Sequence, residues 1–175
     1  SDAVIYTHAG PEVAVASTKA LVAQITAGYL LALFLANGRS ATEQSILREL
    51  GQELLKMPAR VTQVLDGLDE VRALGKEMAS AKSVLFLGRN VGFPVAMEGA
   101  LKLKELAYIH AEGFAAGELK HGPIALIEEG QPVIVIVPSP RDADSLHPKV
   151  ISNIQEIRAR GATVSYTHLT LPTKA

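Results

Sequence analysis

Two short runs of apolar residues limit the possible folds of this 175-residue chain more than any other feature. Ser83–Leu87 (SVLFL) and Pro132–Val137 (PVIVIV) have the length and composition of strands that are buried on both faces of a parallel sheet. A third strand is expected to begin at Thr163, with helices between the strands at about 95–109 and 144–160. This alternation predicts an α/β domain with a doubly wound parallel sheet, a flavodoxin-like three-layer sandwich.

The chain before the first apolar run is expected to be mostly helical. Its longest predicted helix begins after a cap at Ser17 or Thr18 and ends at Asn37. Gln24 and Thr26 interrupt the apolar run ALVAQITAGYLLALFLA, which leaves it shorter than the roughly 20 residues that a bilayer requires. We therefore expect a buried helix and no membrane span. Other elements are expected at 3–6 (the end of a strand), about 42–57, 58–68 and 69–80.

Composition limits the partners that this chain can recruit. Its 17 basic and 18 acidic residues leave a net charge of -1, so neither a nucleic acid nor an anionic membrane is expected as a partner. The chain has no cysteine, which excludes disulfides, thiolate metal sites and a cysteine nucleophile within it. The absence of cysteine fits a reducing compartment, and we expect a cytoplasmic protein.

A charged stripe is predicted on the helix that follows the first strand. In AMEGALKLKELAYIH, residues 96–110, Glu98, Lys102 and Glu105 fall within an arc of about 60° at 100° per residue. The rest of the helix surface is apolar except for Lys104, so the helix is expected to be mostly buried and the stripe to line a cleft. Two carboxylates beside an ammonium can move a proton on and off carbon and stabilise negative charge on oxygen. The alternative is a solvated stripe of ion pairs worth about 0.2–0.5 kcal/mol each.

Other polar residues nearby are weaker candidates for a site. The loop Gly88–Gly92 is neither a dinucleotide fingerprint nor a P-loop, and its glycines suit either a tight turn or an anion at the following helix. His121 lies in GELKHGPIAL, a segment that is too polar for a core. His110 and Glu112 could pair on a metal, but no third ligand has a suitable spacing, and no metal site is predicted.

A 27-residue segment, MEGALKLKELAYIHAEGFAAGELKHGP at 97–123, resembles the signature of the glutamine–fructose-6-phosphate aminotransferase family. EVAVASTKA at 12–20 and SNIQEIRARGA at 152–162 resemble flanking parts of the same family. The resemblance covers about residues 1–164 and implies two sugar-isomerase (SIS) domains. Residues 1–67 would be the helical, C-terminal part of the first SIS domain, and residues 68–164 would be most of the second.

The resemblance also implies roles for four residues of the second domain. Glu105 would shuttle a proton between C1 and C2 of the sugar phosphate, Lys102 would assist this transfer, and Glu98 would support the site. His121 would help to open the sugar ring and would reach the active site of the neighbouring subunit. A homodimer is therefore the expected assembly of the parent enzyme.

Two residues of the N-terminal region are implied as substrate contacts. Val15 and Ser17 lie in AVASTKA, which resembles the family's sugar-contacting stretch, whereas from the residues alone Ser17 is a helix cap. The implied activity converts fructose 6-phosphate and glutamine to glucosamine 6-phosphate and glutamate, by amination and ketose–aldose isomerisation.

The chain departs from the family pattern in ways that limit its own activity. The glutaminase domain, the loop that binds the sugar phosphate and the family's C-terminal lysine are expected to lie outside these residues, so the chain alone is expected to be inactive. Residues 165–175 (SYTHLTLPTKA) resemble a translated sequencing adapter and are interpreted as a non-native tail, so His168 and Lys174 receive no role.

Two alternative functions remain open on the sequence. The first is another SIS-domain enzyme acting on a sugar phosphate, such as a deaminase or a deglycase, which would share the fold and the carboxylate base. The second is a non-catalytic SIS module that binds a sugar phosphate, and such a module would not need Glu105 and His121 together.

Overall fold

A four-stranded parallel sheet organises the second of two units, which divide the chain between Lys76 and Glu77. The computed structural model describes residues 2–39, 43–140 and 145–167. The strands are β1 (Ser83–Gly88), β2 (His110–Ala115), β3 (Pro132–Val135) and β4 (Thr163–Tyr166). They lie in the order β2-β1-β3-β4. Helix α5 (Gly92–Ala107) connects β1 to β2, and α6 (His147–Arg158) connects β3 to β4.

The first unit is helical in its described residues. It contains α1 (Lys19–Asn37), α2 (Gln44–Leu55) and α3 (Met57–Asp66), and α4 (Asp69–Met78) crosses the division between the units. Residues 3–6 form no strand, so the expected strand end is absent. Helix α1 begins after Thr18, but no side chain makes the expected cap hydrogen bond.

Helix α1 is not buried, and the prediction from its composition was wrong in this respect. None of its residues is buried, and Phe34 is 75% exposed. Within the described part of the first unit, α1 packs against α2 and has no sheet to lie on, so its apolar surface stays uncovered. By length and composition α1 would also pass for a membrane span, a test that core helices of soluble proteins pass as well.

The second unit has the doubly wound parallel architecture that the sequence predicts. Side chains of a strand alternate between the two faces of the sheet. Leu85 and Leu87 of β1 join the core formed with α6, whereas Phe86 faces α5, where a Cβ on Gly99 would lie 2.9 Å from its ring. Helices α5 and α6 therefore cover opposite faces, which confirms the three layers.

Strand β2 was missed by the sequence interpretation. It pairs with β1 in parallel, with His110 opposite Ser83 and Ala115 opposite Gly88, and it is the edge of the sheet. Because an edge strand is paired on one side only, HAEGFA can carry polar residues and lacks the apolar run of a central strand.

Strand β4 extends into the residues interpreted as a non-native tail. Tyr166 pairs with Val135. Thr167 N–H donates to Val135 O at 3.1 Å, an ordinary length for a backbone hydrogen bond. A sequence of alternating polar and apolar residues can form the edge strand β4 whatever its origin, so the interpretation of 165–175 as a non-native tail stays a prediction. The predicted domain boundaries also stay predictions. His168 and Lys174 lie outside the described residues.

Candidate active site

The strand order places a topological switch point at the carboxyl ends of β1 and β3, where open α/β sheets bind ligands. The loop from Gly88 to Gly92 turns tightly there, because a Cβ on Gly88 would lie 2.0 Å from Gly92 O. Gly92 N–H donates to Arg89 O at 2.9 Å, and Asn90 has a φ of 51°. The turn therefore requires a glycine at position 88, whereas a Cβ on Gly92 would lie 3.3 Å from Ile136 Cγ2.

The charged stripe on α5 is assembled as the helical spacing predicts. Lys102 Nζ lies 2.6 Å from Glu105 Oε2 and 3.3 Å from Glu98 Oε1. The Lys102 side chain is 21% exposed, and each glutamate side chain is 30% exposed. One ammonium is therefore shared by two carboxylates on one side of the helix.

The two carboxylates keep Lys102 charged. The hydrogen bond from Lys102 to Glu105 holds the pKa of the ammonium above its ordinary value, and the bond to Glu98 acts in the same direction against partial desolvation. Lys102 is thus an ammonium at neutral pH and can act as an electrostatic group. Only the carboxylates of this cluster can accept a proton there.

Helix α5 is less buried than its composition suggests. Its buried residues are Gly92, Ala96 and Ala100, whereas Met97 and Leu106 are exposed, so the expectation of a mostly buried helix was wrong. The helix lays one narrow, small-residue face on the sheet. At about 100° per residue, the stripe of Glu98, Lys102 and Glu105 is on the opposite side, facing away from the sheet.

The other predicted residues are not members of this cluster of three side chains. His121 is the exposed last residue of the short 3₁₀ helix Ala116–His121, here termed the histidine turn. No hydrogen bond or ion pair among the described residues joins it to α5. Val15 and Ser17 are in the first unit, where Val15 is 92% exposed and Ser17 is half-buried. Ser17 precedes the N-cap residue Thr18 and so is not the helix cap.

No cluster of side chains in the described parts of the chain suggests a metal site. Groups of three or more histidine, aspartate or glutamate side chains that could hold a metal are absent there. His110 and Glu112 lie on the same strand, β2, without a third ligand. A cavity of about 380 Å³ is found at the amino ends of β1 and β3, lined by Lys82, Ser83 and Gln131, at the end of the sheet opposite to the switch point.

Sequence reasoning missed one polar contact that joins the end of β1 to α6. Arg89, directly after β1, donates from Nη1 to Asn153 Oδ1 of α6 at 3.3 Å. Asn153 is only 6% exposed, and among the described residues no other polar residue is as deeply buried. The signal was present, because Asn153 falls within the apolar face that Val150, Ile154 and Ile157 form on α6.

Comparisons with known proteins match this arrangement. The SIS domain family model matches residues 77–168, which is nearly all of the second unit. The glutamine–fructose-6-phosphate aminotransferase (isomerizing) of Corynebacterium glutamicum is 67% identical over 162 residues, covering 93% of this chain and 26% of that protein. The chain thus spans about a quarter of the length of the curated relatives it matches.

Solved structures show the same likeness. The C-terminal domain of glucosamine-fructose-6-phosphate aminotransferase from Francisella tularensis has a TM-score of 0.86 at 38% identity, over 91% of this chain and 44% of that one. Glucosamine-6-phosphate deaminase from Thermotoga maritima has a TM-score of 0.55 at 24% identity, over 91% and 44%, which is a likeness of fold alone.

Proposed function

The chain belongs to the SIS domain family, and on this premise we propose that it is part of the isomerase region of a glutamine–fructose-6-phosphate aminotransferase. The parent enzyme would convert fructose 6-phosphate and glutamine to glucosamine 6-phosphate and glutamate. The observation that carries the proposal is the cluster in which Lys102 lies 2.6 Å from Glu105 and 3.3 Å from Glu98. The names of its close relatives support the same reaction.

Glu105 is the proposed base. Ammonia adds to the C2 carbonyl of the open-chain sugar, and loss of water leaves an imine at C2. Glu105 then removes a proton from C1, whose electron pair forms the C1=C2 bond while the imine nitrogen takes up a proton. Return of the proton to C2, with loss of the O1 proton, leaves the C1 aldehyde and the C2 amine. A carboxylate suits this shuttle because it can accept and release a proton without leaving the site.

Lys102 and Glu98 support this transfer. The ammonium of Lys102, hydrogen-bonded to Glu105 at 2.6 Å, orients the carboxylate and stabilises the negative charge that develops on the sugar oxygen. Glu98, 3.3 Å from the same ammonium, holds Lys102 from the other side. Removing Glu98 would free Lys102 to move without removing the base.

His121 is the proposed group for ring opening, in the active site of a second subunit of a homodimer. Opening a furanose moves a proton from the C2 hydroxyl to the ring oxygen, and an imidazole can accept and donate a proton near neutral pH. Its exposure at the end of the histidine turn is what a residue that reaches another subunit requires.

Val15 and Ser17 are the proposed sugar contacts, on the resemblance of AVASTKA to the family stretch alone. The exposed Val15 and the half-buried Ser17 are both accessible to a ligand. We place the parent enzyme in the cytoplasm, with no nucleic acid or membrane as a partner and without a metal or organic cofactor. By itself the chain is proposed to be inactive.

The product spectrum of the full-length enzyme tests this function against its alternatives. With fructose 6-phosphate and glutamine, an aminotransferase yields equal amounts of glucosamine 6-phosphate and glutamate. A deaminase of the same fold would instead release ammonia from glucosamine 6-phosphate and would not consume glutamine. Binding of a sugar phosphate without turnover of either substrate would identify a binding module and would refute the proposed reaction.

A further inference from the structure

Arg89 connects three elements of the second unit at the switch point. It follows β1, is half-buried, and donates from Nη1 to Asn153 Oδ1 at 3.3 Å. Asn153 is 6% exposed on α6, and a buried amide requires such a partner because leaving it unpaired costs stability. The guanidinium is therefore held at a fixed place between β1 and α6.

The same guanidinium lies against the backbone of the histidine turn. A Cβ on Gly117 would lie 3.2 Å from Arg89 Nη2 and 3.5 Å from Arg89 Cζ. A side chain at position 117 would therefore displace the guanidinium by a few tenths of an ångström. The guanidinium of Arg89 thus occupies the space that a side chain at position 117 would take.

Buried side chains and an ion pair hold the histidine turn in place, whereas its last residue, His121, is exposed. Ala116 and Leu119 are fully buried in the core that α6 completes, and Lys120 Nζ lies 3.0 Å from Glu156 Oε1 of α6. No hydrogen bond or ion pair of the His121 side chain occurs among the described residues. The position of its imidazole therefore depends on the backbone of the histidine turn.

We propose that Arg89 is a positioning residue for His121, acting through Asn153 and Gly117 to fix the histidine turn. This inference rests on the proposed ring-opening role of His121. We assign Arg89 no contact with the sugar. Its guanidinium is rigid and forked, so a lysine at this position would keep the charge and lose both the planar contact with Gly117 and the directed hydrogen bond.

The kinetic test uses the full-length enzyme with Arg89→Ala and, as a matched control, Arg72→Ala. Arg72 is an exposed arginine of α4 paired only with Asp69 in the described structure. A small displacement of a catalytic group can cost about a hundredfold in rate. We expect Arg89→Ala to lower kcat on fructose 6-phosphate by about tenfold to a hundredfold, and Arg72→Ala to leave it unchanged.

Two further readouts separate positioning from general damage. An analogue without the 5-hydroxyl cannot close the furanose ring, so its turnover should be nearly unaffected by Arg89→Ala. In the His121→Ala background, Arg89→Ala should cause little additional loss, because both changes affect the same step. Equal losses on both substrates, or losses that multiply in the double variant, would overturn the proposal.

A second variant and a structural measurement keep the test independent of folding and of the proposed function. Gly117→Ala pushes on the guanidinium without removing the partner of Asn153, and it should reproduce the substrate dependence of Arg89→Ala in weaker form. Hydrogen exchange on the 175-residue chain should become several-fold faster at amides 117–122 in Arg89→Ala, with β1 and β3 unchanged. Unchanged exchange at 117–122 would overturn the positioning role, whereas absence of glucosamine 6-phosphate formation by the unmodified enzyme would refute only the proposed function.

Discussion

Each unit of the chain carries a cluster of three charged side chains on or directly beside its helices, but the two clusters have opposite charge arrangements. In the first unit, Glu53 lies between two cations: its carboxylate is 2.5 Å from Lys56 Nζ and also contacts Arg60. These three side chains are 40–59% exposed. In the second unit, one cation lies between two carboxylates, and its members are 21–30% exposed.

The difference separates a surface ion pair from a candidate acid–base site. The hydrogen bonds from Lys56 and then Arg60 lower the pKa of Glu53, so this carboxylate is a poor proton acceptor. Exposed pairs of this kind contribute little to stability, because solvent screens them. In the second cluster a single ammonium serves both Glu98 and Glu105, which leaves carboxylate oxygens available for a proton.

Glutamine in place of the proposed base should have the largest effect. In the full-length enzyme, Glu105→Gln keeps the shape and removes the proton acceptor, and loss of a general base costs about 10²–10⁴-fold in kcat. Binding of fructose 6-phosphate should change little. The matched variant Glu53→Gln should leave kcat within twofold, roughly the experimental scatter, because surface substitutions are nearly neutral.

If Glu105→Gln lowered kcat no more than Glu53→Gln, the two clusters would not differ in function. Near-normal turnover of Glu105→Gln would mean that the base is elsewhere. A comparable loss in Glu53→Gln would mean that both clusters act through structure alone.

The units should also differ in how they respond to loss of an apolar side chain. Leu87 of β1 is fully buried, so Leu87→Ala should cost about 2–5 kcal/mol of unfolding free energy. Leu30 of α1 is 56% exposed, and Leu30→Ala should stay within about 0.5 kcal/mol. Native-state hydrogen exchange at amides of β1 and α1 measures both. Equal costs at the two positions would show that α1 is packed against something in solution.

Loss of the ring-opening group should have an intermediate effect that depends on the substrate. His121→Ala should lower kcat on fructose 6-phosphate by about a hundredfold, the lower range for removing an acid–base group. The analogue without the 5-hydroxyl needs no ring opening and should lose much less. Rates measured side by side on both sugars decide this, and equal losses would rule out the ring-opening role.

The smallest effects concern pH, and they have opposite signs in the two clusters. The raised pKa of Lys102 means that its contribution to stability is complete below its ordinary value of 10.5 and is lost as the pH rises through the higher folded value. The lowered pKa of Glu53 means a contribution that is complete above 4.5 and is lost as the pH falls through the lower folded value.

Titration of the Lys102 side-chain resonance by NMR, with and without Glu105→Gln, measures the first of these shifts. Because the bond to Glu105 is its largest cause, the titration midpoint should move down toward 10.5 in the variant. A midpoint that does not move would show that the hydrogen bond seen at 2.6 Å does not persist in solution.

Sequence patterns predicted the structural features that depend on a single helix or a single strand. The spacing of Glu98, Lys102 and Glu105 fixes their contact because all three lie on one helix. The central strands β1 and β3 follow from uninterrupted apolar runs, since both of their faces are covered.

Features that depend on neighbours could not be obtained in the same way. Strand β2 escaped notice because pairing with β1, and not its own composition, makes HAEGFA a strand. The exposure of α1 depends on what lies beside it, which the sequence of α1 does not contain. The apolar face of α6 marks Asn153 as a buried amide, but its partner Arg89 is 64 positions away, so no local pattern identifies the contact.

Solvent exchange at C1 of the sugar tests the acid–base role of Glu105 most directly. The full-length enzyme is incubated in D₂O with fructose 6-phosphate and ammonia or glutamine, and deuterium incorporation at C1 and C2 is followed by NMR. We expect incorporation by the unmodified enzyme and by Glu53→Gln, and none by Glu105→Gln although the sugar still binds. Incorporation by Glu105→Gln at the unmodified rate would contradict the assignment of Glu105 as the base.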